Sequence, residues 1–423
     1  MPRIVIATYG SLGDLHPAIA LALELRRRGH PVVLATSENY RGKIAALGLE
    51  FHALRPDLLA DGERVVAEIM DGPRGTERLM RDHLFPTVRV MHEDLATIVG
   101  DTDLLVASEL VFAAPLLAAT RGVRWVSYFL APISLFSTSD PPILPVARGL
   151  RWLPRLGAPA MRFVKWAGRH VSHSWWRPLR DLRRELGLPP GCHPLFEGKF
   201  SPRLNLALFS SVLQPPQPDW PTSMVQTGFC FFDEIGEDAD QRPALPPEVE
   251  AFLQAGDPPI VFTLGSAAVY LAGNFYAESA QAAARIGRRA LLLLGNNPPP
   301  PDLPASVLAW DYLPYRRIFP RAAAVVHQGG VGTTAQTLRA GRPMLVVPFA
   351  HDQFDNAARI TRLGSGRTVS RERYRAGVVA RELSLLLTDA RYSERAAALG
   401  TWVQAERGVE VACDAIERCG SEA

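Results

Sequence analysis

His327-Gln328-Gly329-Gly330-Val331-Gly332-Thr333-Thr334, running on through Gly341-Arg342-Pro343 to Ala350-His351-Asp352-Gln353-Phe354-Asp355-Asn356, reads as strand, glycine loop, helix, strand, loop. Ala323-Ala324-Val325-Val326 is a short apolar run of the kind that forms a buried parallel strand. The glycines after it let the backbone turn sharply and approach a ligand with no side chain in the way. Thr333 and Thr334 stand where a helix would start, and Ala335 to Ala340 has helix-forming character. A helix N-terminus carries free N–H groups and a positive dipole end, which suits a phosphate. Met344-Leu345-Val346-Val347-Pro348 is the next buried strand. It brings Asp352 and Gln353 to the same sheet edge, where open α/β sheets bind ligands. A phosphate cradle beside a carboxylate and an amide points to a sugar joined to a diphosphate. Such glycine turns also occur without phosphate, so the wider string decides.

That string, His327-Gln328-Gly329-Gly330-x-Gly332-Thr333-Thr334, then Ala340-Gly341-x-Pro343, then Pro348-x-x-x-Asp352-Gln353-x-x-Asn356-Ala357, resembles the nucleotide-sugar signature of family 1 glycosyltransferases. Ala350 to Ala357 is most similar to the rhamnosyltransferase branch of rhamnolipid synthesis; sterol and antibiotic glycosyltransferases are more distant in pattern. The resemblance implies an α/β chain of GT-B fold, two Rossmann-like domains facing across a cleft. It implies that His327 meets the donor diphosphate, with Gly329, Gly330, Gly332 and Thr333 offering backbone and hydroxyl donors. Asp352 and Gln353 would hydrogen-bond the sugar. Gly265-Ser266, after the strand Pro259 to Leu264, resembles a turn whose serine contacts a donor phosphate. Trp310-Asp311-Tyr312-Leu313-Pro314-Tyr315 resembles the nucleobase site, with an aromatic ring (Tyr312) on the base and the Leu313 backbone at its edge. Pro314-Tyr315 replaces the Pro-Gln of many members, which leaves a dTDP- or UDP-hexose open.

Nearer the N-terminus, Arg3 to Thr8 reads as a buried strand, Tyr9 to Pro17 as a glycine loop, Ala18 to Gly29 as a helix and Pro31 to Thr36 as a second strand, a βαβ unit. A full G-x-G-x-x-G is missing, so no dinucleotide cofactor is expected. The loop resembles the acceptor-side loop of the same family, where Gly-His-x-x-Pro supplies a catalytic base. Counting back from Pro17, Asp14 takes that place, and the antibiotic and sterol branches show the same aspartate. Transfer to a hydroxyl needs a base to remove its proton during attack. Asp14 read on its own is also a helix N-cap. His16 is the rival base or part of the acceptor wall, and the resemblance puts Ser11 on the donor side. Glu109, after the strand Thr102 to Ala107, falls near the place of an acid that orients the base; it would raise a neighbouring aspartate by like-charge repulsion, or face solvent. Phe112, Tyr128 and Phe136 are candidates for an apolar acceptor wall, or for core. Phe136 lies in the long segment 130–145, a length that in compact domains is often functional.

Residues 148–184 interleave arginines and Lys165 with Trp152, Trp166, Trp175 and Trp176. This composition suits an amphipathic region resting on an anionic membrane, or a solvated helical face. Pro215 to Pro221 reads as a stiff linker. The expected division is 1–213 for the acceptor domain, 214–224 for the linker, 225–400 for the donor domain, and 401–423 for a terminal helix packed back on the first domain.

At 423 residues, 47% hydrophobic and 21% charged, the chain is globular and long enough for two domains. A net charge of +3 is too small to argue for nucleic acid. The four cysteines show no metal-ligand spacing and read as free thiols. No metal and no cofactor are expected beyond the nucleotide-sugar substrate. With no apolar signal region or bilayer-length run, the expected place is the cytoplasm, with peripheral contact at the inner face of the membrane. The expected reaction is inverting transfer of a hexose, dTDP-rhamnose first, to a hydrophobic acceptor such as a hydroxyalkanoyl lipid. Alternatives are a UDP-glucose-type transferase acting on a sterol or macrolide, a nucleotide-sugar epimerase or hydrolase, and a non-enzymatic binding partner.

Overall fold

The computed structural model describes residues 2–57, 63–70, 72–100, 103–145, 156–233 and 245–421. The chain divides into two units, Met1–Phe232 with Glu406–Ala423, and Asp233–Ala405.

The first unit is built on a seven-stranded parallel sheet of order β3-β2-β1-β4-β5-β6-β7. The strands are β1 (Ile4–Ala7), β2 (Val32–Thr36), β3 (Glu50–Ala53), β4 (Leu104–Ser108), β5 (Arg124–Phe129), β6 (Leu204–Ala207) and β7 (Met224–Gln226). The central strands are apolar throughout because both faces are covered. On one face Ile4, Ile6, Val106, Val126 and Tyr128 pack beneath α1 (Leu12–Arg27) and the helix Gly408–Ser421. On the other, Val5, Ala7, Leu105, Ala107 and Trp125 pack with α2 (Val88–Ile98) and α3 (Ala114–Arg121). Further along come α4 (Ala158–Val171) and α5 (Arg177–Glu185).

Three expectations change here. Helix α1 starts at Leu12, not Ala18, because Ser11 caps it and Asp14 closes a capping box. Pro17 merely lacks the N–H that would reach back to Gly13, so the helix runs through it. The proline run 215–221 lies inside the first unit, and β7 beyond it pairs with β6. Asp219 of that run holds the 130–145 segment: it accepts from Ser137 Oγ at 2.7 Å and from Thr138 N at 2.6 Å. The terminal helix is two helices, Ala390–Ala405 and Gly408–Ser421, parted at Glu406. Glu406 leaves the helical path because its carboxylate accepts from Ser210 Oγ at 2.5 Å and Phe229 N at 3.3 Å. The second of these helices is fastened by Arg28, whose Nη1 lies 2.6 Å from Asp414 and 2.7 Å from Glu417.

The second unit carries a six-stranded parallel sheet of order β10-β9-β8-β11-β12-β13. Its strands are β8 (Ile260–Thr263), β9 (Ala290–Leu293), β10 (Val307–Trp310), β11 (Ala324–His327), β12 (Met344–Val346) and β13 (Gly366–Thr368). Helix α6 (Val331–Arg339) follows β11 and α7 (Gln353–Leu363) follows β12. In each sheet the strand order reverses once, between β1 and β4 in the first and between β8 and β11 in the second. Ligands of open α/β sheets bind just beyond the carboxyl ends of the strands at such reversals.

Candidate functional site

At the first reversal the chain leaves β1 through Thr8 to Gly10 and enters α1. Ser11 N donates to Asp14 Oδ2 at 2.8 Å, and Ser11 Oγ lies 3.3 Å from the same oxygen. Gly10 has φ +135°, and a Cβ there would stand 2.3 Å from Asp14 Oδ2. The turn thus needs glycine to let the carboxylate fold back over it. Asp14 is half-buried, and its carboxyl is pushed up from 3.8 to about 6, chiefly by loss of water; the Ser11 bonds oppose this and the charge of Glu109 adds to it. Asp14 is therefore not the N-cap but its reciprocal partner, and it still holds a proton near pH 6. Ser11, expected on the donor side, is the cap of α1: its Oγ also accepts from Gly13 N at 3.3 Å. The His16 ring is 5.3 Å from that of Phe232.

Glu109, beyond β4, does not simply face solvent. It accepts from Lys199 Nζ at 2.8 Å and from Ser134 Oγ. Lys199 is buried and also donates to Ser134 O at 2.5 Å. Sequence reasoning missed Lys199, and nothing in Gly198-Lys199-Phe200 marks it: its partner lies ninety residues away. Of the acceptor-wall candidates, Tyr128 is fully buried in the core under α1, which also drives its phenol far above its ordinary range. Phe112 is 4.7 Å from Phe85 within another apolar cluster. Phe136 is half-buried in a left-handed conformation, φ 47°, with its ring 5.0 Å from Phe196.

At the second reversal, β11 ends on His327. The ring is wholly buried. Nδ1 accepts from Gly329 N at 3.0 Å, which puts the proton on Nε2, 3.2 Å from Met344 Sδ. Burial pushes its pKa down to about 3, so the imidazole is neutral. The expectation that His327 meets the diphosphate is corrected: the ring shapes the glycine turn from beneath. Gly329 has φ +90°, and a Cβ there would meet Val346 Cγ1 at 2.6 Å and Gln353 O at 3.2 Å. Gly330 caps α6 and Gly332 and Thr333 lie in its first turn, where N–H groups have no intrahelical partner. The N–H of Val331 is taken by Asp352 Oδ2 at 3.1 Å. Thr333 is buried, and the nearby phenol of Tyr315 lies 2.9 Å from Thr263 Oγ1. Tyr315, the departure from the Pro-Gln pattern, so bonds the end of β8.

The carboxylate-amide pair is likewise partly built into its loop. Asp352 Oδ2 also accepts from Asn356 Nδ2 at 2.7 Å, and Gln353 Oε1 accepts from Phe349 N at 2.8 Å and Ala350 N at 3.1 Å. What Gln353 retains for a ligand is its NH2. Ser266 is half-buried in the turn after β8. Tyr312, expected to stack on the base, is 52% exposed, and the Leu313 side chain is buried. Gln328 was also missed: it is buried, and its Oε1 has no partner among the described residues. An amide lodged between a buried histidine and two glycines was the available signal. Among the described residues no cluster of side chains could hold a metal ion, and no helix is long and apolar enough to cross a membrane.

Comparison with known proteins agrees with this architecture. Residues 4–123 match the Glycosyltransferase family 28 N-terminal domain, and residues 294–417 match the erythromycin biosynthesis protein CIII-like C-terminal domain. The chain is 36% identical over 426 residues to O-mycaminosyltylonolide 6-deoxyallosyltransferase of Streptomyces fradiae, covering 98% of this chain and 97% of that one. It is 30% identical to glycosyltransferase GtfE of Amycolatopsis orientalis, over 86% of this chain and 85% of that one. The crystal structure of glycosyltransferase VinC in complex with dTDP superposes with a TM-score of 0.68 at 20% identity, over the full length of both chains.

Proposed function

We propose a reaction from one premise: this chain belongs to the glycosyltransferases of GT-B fold, of the natural-product type, and is an enzyme that transfers hexosyl groups. The donor is a dTDP-deoxyhexose and the acceptor a hydroxyl on an uncharged, largely apolar natural product of macrolide type. The relative named for moving 6-deoxyallose onto a tylonolide, and the neighbour that holds dTDP, support this choice. Asp14 removes the acceptor proton as the oxygen attacks the anomeric carbon, in a single displacement that inverts it. The diphosphate leaves with its charge on the N–H groups at the start of α6, which stabilise it as fixed dipoles. Asp352 and the Gln353 NH2 hold the sugar, and Tyr312 stacks on the base. The observation that carries the reading is Asp14, a half-buried carboxyl held near pKa 6 at a sheet reversal, the range in which a general base works.

The test is thermal stabilisation by dTDP, dTDP-rhamnose, UDP and UDP-glucose, since a ligand of the folded state raises its melting temperature. The expected result is a clear shift with dTDP that exceeds that with UDP. A preference for UDP replaces the dTDP donor with a UDP-glucose type. No shift with any of them in a folded sample removes the donor assignment.

A second reading keeps dTDP-rhamnose and a hydroxyalkanoyl lipid, favoured by the Ala350–Ala357 string and by α4. Phe163, Trp166 and Val171 on or at the end of α4 are 65%, 51% and 69% exposed, and Leu156 just before it is 58% exposed. Trp166 stacks on Phe163 at 5.5 Å, and Arg162 is exposed beside them. Residues 148–155 of the basic stretch lie outside the described residues. Under this reading α4 rests on an anionic bilayer. Co-sedimentation with phosphatidylglycerol vesicles should then fall about tenfold or more in Phe163→Glu/Trp166→Glu, given about 1.5–3 kcal/mol per inserted apolar side chain. Equal pelleting of both proteins removes the membrane role.

A further inference from the structure

The face of the first sheet turned away from α1 borders a space that the reading above does not use. Trp125 and Ser127 alternate with Val126 and Tyr128 along β5, so the two pairs point to opposite faces. Val126 and Tyr128 join the core beneath α1. Trp125 and Ser127 instead line a cavity of about 220 Å³, closed on other sides by α5 and by residues 191–200. Phe112, Leu116 and Leu179 supply apolar wall, each at most 6% exposed.

Two features decide which chemistry fits. The charges at its edge already have partners. Lys199 is paired with Glu109, Glu197 with Arg169, and Arg183 donates to Pro189 O at 2.8 Å through Nη2 and at 3.0 Å through Nε. An ionic guest would have to compete with these bonds while losing its water. The Ser127 hydroxyl is the opposite case. It is wholly buried, and it has no hydrogen-bond partner among the described residues. A buried hydroxyl left unpaired is unfavourable, and a ligand oxygen beside it would remove that penalty. An apolar cavity of about 150 Å³ accepts a benzene ring, so this one takes a group of roughly ten heavy atoms.

We infer that this cavity binds the uncharged, mostly apolar part of a ligand, one to two rings in size, which presents a hydroxyl or carbonyl oxygen to Ser127. The inference rests on the acceptor reading above and deepens it, because Glu109, whose charge bears on Asp14, also lines the cavity. It makes the buried end of the acceptor a neutral ring system and not a sugar phosphate or a fatty carboxylate.

Cys192 lines the same cavity and is the exposed cysteine among the four. Its alkylation by iodoacetamide therefore reports occupancy of the cavity with no turnover and no nucleotide. In the full chain, saturating 2-naphthol should slow Cys192 alkylation at least threefold, and naphthalene-2-sulfonate should not. Leu116→Trp fills the space and should abolish the protection. Ser127→Ala, which keeps the shape, should raise the half-protecting 2-naphthol concentration about five- to tenfold, the worth of one hydrogen bond, and serves alone should Leu116→Trp not fold. Unprotected wild-type Cys192, protection unchanged in Ser127→Ala, or equal protection by the sulfonate overturns the inference. Protection by 2-naphthol in a protein that glycosylates no hydroxyl compound upholds the cavity and removes the acceptor reading. Transfer to hydroxyl acceptors with Cys192 unprotected does the reverse.

Discussion

Asp14→Asn is expected to lower the turnover of glycosyl transfer by about 10²- to 10⁴-fold, the usual worth of a positioned base, while leaving the folded protein at least as stable at neutral pH. The two halves of this expectation come from the same carboxyl. In the folded chain its pKa is about 6, against 3.8 ordinarily. Between those values the folded state holds a proton that the unfolded chain has lost. The stability linked to it is complete below about pH 4 and is lost as pH rises through about 6. Above that, the folded protein carries a half-buried negative charge at a cost of roughly 1–3 kcal/mol, trimmed by solvent screening. Asparagine escapes that cost and can still accept from Ser11 N, so the box that starts α1 survives. The wild-type rate should climb with pH through about 6 and then level, because only the ionised carboxylate takes a proton. If Asp14 only capped the helix, the asparagine variant would keep its activity. A variant above a tenth of wild-type turnover, or a flat pH–rate profile from pH 5 to 7, removes it from the base role.

Gly329→Ala should abolish stabilisation by dTDP. Wild type at a dTDP concentration 100 times its Kd should gain about 2.7 kcal/mol. The new methyl would meet Val346 Cγ1 at 2.6 Å and the Gln353 carbonyl at 3.2 Å, on a backbone at φ +90°. Val346 is in β12, and Gln353 opens α7. Neither can retreat without moving the turn whose N–H bonds His327. Gly122→Ala is the control. It imposes a similar left-handed strain at φ +68°, but a Cβ there meets nothing within 4 Å. It should cost about 1 kcal/mol and leave the dTDP shift intact. Equal dTDP shifts in the two variants would show that close approach at Gly329 is irrelevant to the donor.

Legibility in the sequence followed burial. β1, β4, β8 and β11 are covered on both faces and appear as plain apolar runs, so both sheets and the loops at their reversals were readable. β3 and β7 lie at sheet edges, partly exposed, and carry no such run. The start of α1 was hidden because Gly13 and Pro17 read as breakers, and the Ser11–Asp14 box that overrides them depends on a hydrogen bond, not on propensity. The residue types of the glycine loop after β11 and of the loop after β12 were readable, but the direction of their side chains was not. His327 turns inward to Gly329, and Asp352 turns to the N–H of Val331. Glu109 shows the same limit: its behaviour is set by Lys199, which the fold and not the spacing brings to it.

The helix Gly408–Ser421 belongs to the core of the first unit although the chain makes it after the whole of the second. Domains on a ribosome ordinarily fold in the order they emerge, at about 5–20 residues per second. Here the underside of α1, with Leu21 and Leu25, has to wait while residues 233–405 are made, on the order of ten to thirty seconds at that rate. The later-born unit can finish first. The earlier one spends that interval as a nascent chain with an open apolar face, the period in which chaperone contact or aggregation would decide the yield of this protein.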